Sequence, residues 1–102
     1  QRIALARALV SNPRVLVLDD PLSAVDARTE GLILEAIERA GRGRTVVLVT
    51  HRALAARRMD HVVVLDDGRV VEHGDPDVLA LGDGPFAALV ARQTIEQELE
   101  AT

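Results

Sequence analysis

Apolar residues along this chain switch between helical spacing and short unbroken runs. Leu5, Ala8 and Leu9 share one face between Arg2 and Val10, which predicts a helix. Ser11-Asn12-Pro13 interrupts it. Val15-Leu16-Val17-Leu18 then runs without a polar residue and stops at Asp19-Asp20, the pattern of a strand buried on both faces of a parallel sheet. Pro21 to Asp26 reads as a loop, with Asp26 as N-cap of the next element. From Ala27 to Ala40, the residues Ile33, Ala36, Ile37 and Ala40 recur at i, i+3, i+4 and i+7, an amphipathic helix that Gly41-Arg42-Gly43 ends.

Thr45 to Thr50 is a second, β-branched strand that ends at His51. A short helix over Arg52 to Arg58 leads to a third strand, His61 to Leu65. Asp67-Gly68 supplies the positive φ angles of a tight turn and predicts a hairpin closed by Val70-Val71. Pro76 to Leu81 and Pro85 to Arg92 read as short helices, and the acidic tail from Thr94 to Thr102 is expected to fray. Strands alternating with helices predict an α/β fold, a mainly parallel sheet with flanking helices and a C-terminal β-hairpin. No repeat or linker divides residues 1–102.

The 102 residues are 48% hydrophobic and 27% charged, a globular composition. With Phe86 as the one aromatic residue, the core must be aliphatic. All 12 basic residues are Arg, and the net charge of -4 argues against a nucleic-acid partner, which calls for a clustered basic face. No cysteine is present, so disulfides and thiolate metal sites are excluded. No apolar run approaches the ~20 residues that span a bilayer. The chain begins at Gln1 with no signal peptide, and is expected to be cut from a longer protein.

In open α/β sheets, ligands bind outside the carboxyl ends of the strands. Asp19-Asp20 follows the first strand and His51 the second, so an acidic pair and an imidazole reach one rim, where they could hold a metal ion and a reacting water. Taken singly, each has a plain structural reading. Asp-Asp-Pro is a common turn, and a lone histidine is more often a satisfied structural residue. Their occurrence on consecutive strand ends favours chemistry.

The residues also carry a family resemblance. Val15-Leu16-Val17-Leu18-Asp19-Asp20-Pro21 resembles the Walker B segment of ATP-binding-cassette (ABC) ATPases. Leu22-Ser23-Ala24-Val25-Asp26 resembles their D-loop and Val49-Thr50-His51-Arg52 their H-loop. Gln1 to Leu9 resembles the helix after the ABC signature sequence, and Val64 to Glu72 with Gly74 resembles the C-terminal hairpin of transporter cassettes. These segments stand in family order over nearly the whole chain. The resemblance implies the C-terminal half of an exporter-type nucleotide-binding domain over residues 1–102. The Walker A loop, Q-loop and signature sequence precede this stretch in the family and are not among its residues. As a fragment it is not expected to hydrolyse ATP alone.

The resemblance further implies roles. Asp19 matches the carboxylate that holds Mg²⁺, usually through water, and a lone Asp suits that ion. Asp20 stands where the family normally has a Glu that orients or deprotonates the attacking water. Asp is one methylene shorter, and a displacement of ~1 Å can cost on the order of 10²-fold. The string Asp-Asp-Pro-Leu-Ser-Ala-Val-Asp resembles the degenerate half of asymmetric exporters, so this Walker B site is expected to bind ATP and hydrolyse it slowly. His51 matches the switch histidine near the γ-phosphate. Ser23 and Asp26 match D-loop positions at the interface with a second cassette, although Asp26 also serves simply as a helix cap. His61 and His73 match no functional position and read as surface residues without a zinc-ligand spacing.

The implied cofactors are ATP and Mg²⁺. The implied partners are a second nucleotide-binding domain, in a heterodimer or tandem pair, and a transmembrane domain, at the cytoplasmic face of the cell membrane. An importer's ATPase subunit is the nearest alternative and would usually carry Glu at position 20. Chromosome-maintenance and DNA-repair ATPases share Walker B and the D-loop but lack this Asp-Gly hairpin with its trailing Gly74 segment. A truncated, inactive cassette fragment is the non-enzymatic alternative.

Overall fold

The computed structural model describes residues 12–101. The helix expected over Arg2 to Val10 lies outside the described residues. Two compact units divide the chain, Gln1–His51 and Arg52–Thr102.

In the first unit, β1 (Val15–Asp19) pairs in parallel with β2 (Thr45–Val49), with Val15 opposite Thr45 and Asp19 opposite Val49. The connection is α1 (Ala27–Ala40). It is a β-α-β crossover, the connection that parallel strands require. The helix buries Ile33, Leu34 and Ile37, so the predicted apolar stripe faces inward. Glu30 in its first turn is also buried, where the helix dipole favours a negative charge.

The unbroken apolar run of β1 reads as a strand buried on both faces. As part of half a domain, however, it is expected to lack sheet neighbours and to expose apolar surface, and that exposure is what the described residues give. Leu16 is buried, but Val15, Val17, Val47 and Val49, which share the other face in register, are 44–61% exposed. A two-stranded sheet with its helix on one side leaves the other side unpartnered. The sequence therefore carries apolar residues for a face that these residues do not themselves cover.

In the second unit, α2 (Ala53–Ala56) precedes the antiparallel hairpin of β3 (Val62–Asp66) and β4 (Arg69–Gly74). The turn forms where Asp-Gly predicts it, with φ 51° at Asp67 and 73° at Gly68. A register shift after Val64 bulges the pair. The third predicted strand thus pairs with its hairpin neighbour, and among the described residues the parallel sheet has only two strands. The hairpin is followed by α3 (Pro76–Ala80) and α4 (Pro85–Ala101). Asp75 caps α3, accepting from the backbone N–H groups of Asp77 (2.9 Å) and Val78 (3.4 Å).

The core of this unit is Ala53, Val62, Phe86 and Val90, with Leu54, Val64, Leu79 and Leu89 packed around it. Phe86, only 2% exposed, fills the centre of an otherwise aliphatic cluster. The expected fraying after Thr94 is overturned, because α4 continues to Ala101. No Gly or Pro interrupts it after Pro85, and Leu, Gln, Glu and Ala are strong helix formers. Arg92 lies 4.0 Å from Glu96 one turn on, and the Thr94 hydroxyl donates to the Val90 carbonyl at 2.8 Å.

The start of α4 is tied to the hairpin by Glu72, whose carboxylate accepts from the Phe86 backbone N–H at 2.9 Å. That N–H is one of the donors a helix start leaves unpaired. The carboxylate occupies the space where a side chain on Gly84 would lie. Gly84→Ala is therefore expected to displace Glu72 and weaken the first turn of α4 by about 1–3 kcal/mol. Hydrogen exchange on the full-length protein checks this: the Phe86 and Ala87 amides should exchange roughly ten- to a hundredfold faster.

Candidate functional site

The crossover and register of the first unit bring the acidic pair and the imidazole to one end of the sheet. Asp19 is the last residue of β1 and is exposed. Asp20 leaves the strand in the left-handed region, φ 52°, which Asp tolerates better than most residues. Its backbone N–H donates to the Val49 carbonyl at 2.7 Å, so the ladder extends one residue beyond the strand before the chain turns. Its carbonyl accepts from the Ser23 N–H at 3.4 Å, closing that turn.

His51 lies two residues past Val49, and its Nδ1 is 3.5 Å from Asp20 Oδ1. Both side chains are largely open, 74% exposed for His51 and 45% for Asp20. The Oδ1 atom itself is sheltered from solvent and has no hydrogen-bond partner among the described residues. At 3.5 Å the contact is longer than a good N–H···O bond, so the attraction is mainly that of two charges or dipoles in a solvent-screened setting.

The loop from Pro21 to Asp26 is anchored at one end and open at the other. Pro21 and Leu22 are buried, Leu22 to 1%, whereas Ser23, Ala24 and Asp26 are exposed. Ala24 has φ 62°, costly for a residue with a Cβ and no side-chain hydrogen bond to compensate. Two left-handed non-glycine residues therefore lie within this one turn. Asp26 caps α1, accepting from the Thr29 backbone N–H at 2.7 Å. Hydrogen bonds from Thr29, its hydroxyl first and its backbone second, hold the Asp26 carboxyl below its ordinary value, against a small opposing effect of desolvation.

The candidate residues thus divide. Asp20 and His51 face each other, Asp19 shares their rim, Ser23 closes the intervening turn, and Asp26 is committed to the helix cap. The facing of Asp20 and His51 follows from strand register, which residue spacing alone does not give. The donor set fits Mg²⁺ in company with a phosphate: Asp19 is an exposed, hard oxygen donor, and the ion retains several waters. No cluster of three or more His, Cys, Asp or Glu side chains suited to a metal occurs among the described residues, so an ion here would draw most of its ligands from water and nucleotide.

No protein-family model matches the chain. Relatives do. The chain is 44% identical, over 99% of its length, to an ABC multidrug transporter MDR1 from Cryptococcus neoformans var. grubii. It is 41% identical, over 98%, to multidrug resistance protein 1 of Entamoeba histolytica. Among solved structures, a bacterial Atm1-family ABC exporter with ATP bound superposes on 91% of the chain with a TM-score of 0.81 and 40% identity. The chain belongs to the exporter-type ABC family in sequence and in its α/β fold. It spans only 7–8% of the length of these two relatives and 16% of that solved chain. Among the described residues, no helix is long and apolar enough to cross a membrane.

Removing the cap should loosen the helix that leads out of the loop. In the full-length protein, Asp26→Ala is expected to speed exchange of the Ala27 to Glu30 amides, and Asp26→Ser to do so less. Because the folded-state carboxyl is held low, its stabilisation is complete above the ordinary Asp value and is lost as pH falls through the folded value. The difference between wild type and Asp26→Ala should accordingly be constant at neutral pH and shrink only in strong acid.

Proposed function

We propose that this chain is the C-terminal half of a nucleotide-binding domain that couples ATP to export across a membrane, and that its own Walker B site hydrolyses ATP slowly. The observation that carries this reading is the parallel register of β1 and β2, which sets Asp19, Asp20 and His51 on one rim. Likeness over nearly the whole chain to multidrug transporters, and to an exporter with ATP bound, supports it.

On this reading Asp19 holds Mg²⁺, usually through water. Bound with ATP, the ion offsets negative charge on the phosphates. Asp20 occupies the position of the general base. With a reach one methylene short of Glu, and with His51 Nδ1 beside it, its carboxylate stands back from the water that it would activate. His51 donates to or accepts from the γ-phosphate and the attacking water. Ser23 and Asp26 lie on the loop that faces a second nucleotide-binding domain, and the exposure of Ser23 is compatible with that contact. The partner completes the ATP sites, a transmembrane domain receives the movement, and the assembly works at the cytoplasmic face of the membrane. ATP contacts made only in the closed pair shift the population toward closure. A slow site would keep the pair closed while the competent one turns over.

Two substitutions in the full-length protein test this. With the partner site's catalytic acid disabled, Asp20→Glu should raise ATP turnover by roughly ten- to a hundredfold. Unchanged turnover would defeat the slow-site reading. Asp19→Asn should weaken Mg²⁺-dependent binding of ATP while leaving Mg²⁺-free binding nearly unaltered. Equal loss in both conditions would contradict its role.

A further inference from the structure

His61 and His73 stand 12 positions apart in sequence, yet the hairpin brings them together. Val63 is the register partner of His73, so His61, two residues earlier, lies on the same face as a diagonal neighbour. The ring centroids are 5.6 Å apart, with planes tilted by 41° rather than stacked. Both residues are exposed. The separation is close to what one shared metal ion requires. A metal–nitrogen bond of about 2.1 Å plus about 1.1 Å from nitrogen to ring centre puts each centroid ~3.2 Å from the ion, hence ~5.2 Å between centroids at a tetrahedral angle. A few tenths of an ångström, well within the freedom of exposed side chains, closes the difference.

We propose that His61 and His73 form a two-histidine chelating site for a borderline divalent transition-metal ion, Cu²⁺, Ni²⁺ or Zn²⁺. Imidazole nitrogen selects these ions over Mg²⁺ and Ca²⁺, which prefer oxygen. No third histidine, cysteine or carboxylate joins the pair among the described residues, so water fills the remaining positions. The pair belongs to the second unit, His61 just before β3 and His73 in β4, and includes none of the residues assigned to ATP. Binding there would pin the start of β3 to β4 and lock the strand ends.

The probe is the Cu²⁺ complex of nitrilotriacetate, which offers positions matched to two adjacent imidazoles. It would be titrated into tag-free full-length protein and followed by electron paramagnetic resonance. One equivalent should bind with coupling to two imidazole nitrogens. His61→Gln and His73→Gln should each weaken binding roughly ten- to a hundredfold, since each removes the second arm of a chelate. Unchanged ATP turnover in both variants would show that the fold is intact. The proposal is overturned if either single variant binds the probe as tightly as wild type, or if wild type shows coupling to one nitrogen only.

Discussion

The arrangement of the first unit depends on one constraint, the parallel pairing of β1 with β2. A parallel pair aligns both carboxyl ends at the same edge, and the crossover helix returns the chain to do so. The backbone bond from Asp20 N–H to the Val49 carbonyl fixes the last step of that alignment, one residue beyond the strand. Shifted by one residue, the pairing would turn Asp20 and His51 to other directions, because side chains alternate faces along a strand. The site is therefore a property of register first and of residue identity second.

Past the strand, the chain holds its shape through local devices. Asp20 and Ala24 both adopt left-handed backbone, buried Pro21 and Leu22 pin the turn between them, and the Asp26 cap sets where α1 begins. Ser23 is exposed beside buried Pro21 and Leu22. The Asp20 carboxylate lies near His51, where the turn places it.

Much of this was legible in the residue pattern, where physics acts locally. Asp67-Gly68 specifies its turn through the φ angles it tolerates, Asp26 caps through its side-chain oxygen, and Ile33 and Ile37 mark an inward face by spacing. What escaped was decided by distant partners. The apolar run Val15 to Leu18 reads as buried on both sides in a whole domain and as partly exposed in half of one; which side stays covered, that of Leu16, only the packing shows. The polar, acidic tail reads as a fraying terminus, yet helix propensity and the absence of a breaker carry it to Ala101. His61 and His73 look unrelated until the hairpin register pairs their faces. The contact between Asp20 and His51 likewise needs the crossover before it can be seen.

Glu72 and Gly84 show a further form of dependence. The glycine is small because the carboxylate fills its side-chain space, and the carboxylate is held there by the backbone of α4. The two positions are thus one volume shared between two residues. Across relatives that keep this joint, a bulkier residue at the second position should travel with a shorter one at the first, so that the pair drifts together through evolution while either alone stays fixed.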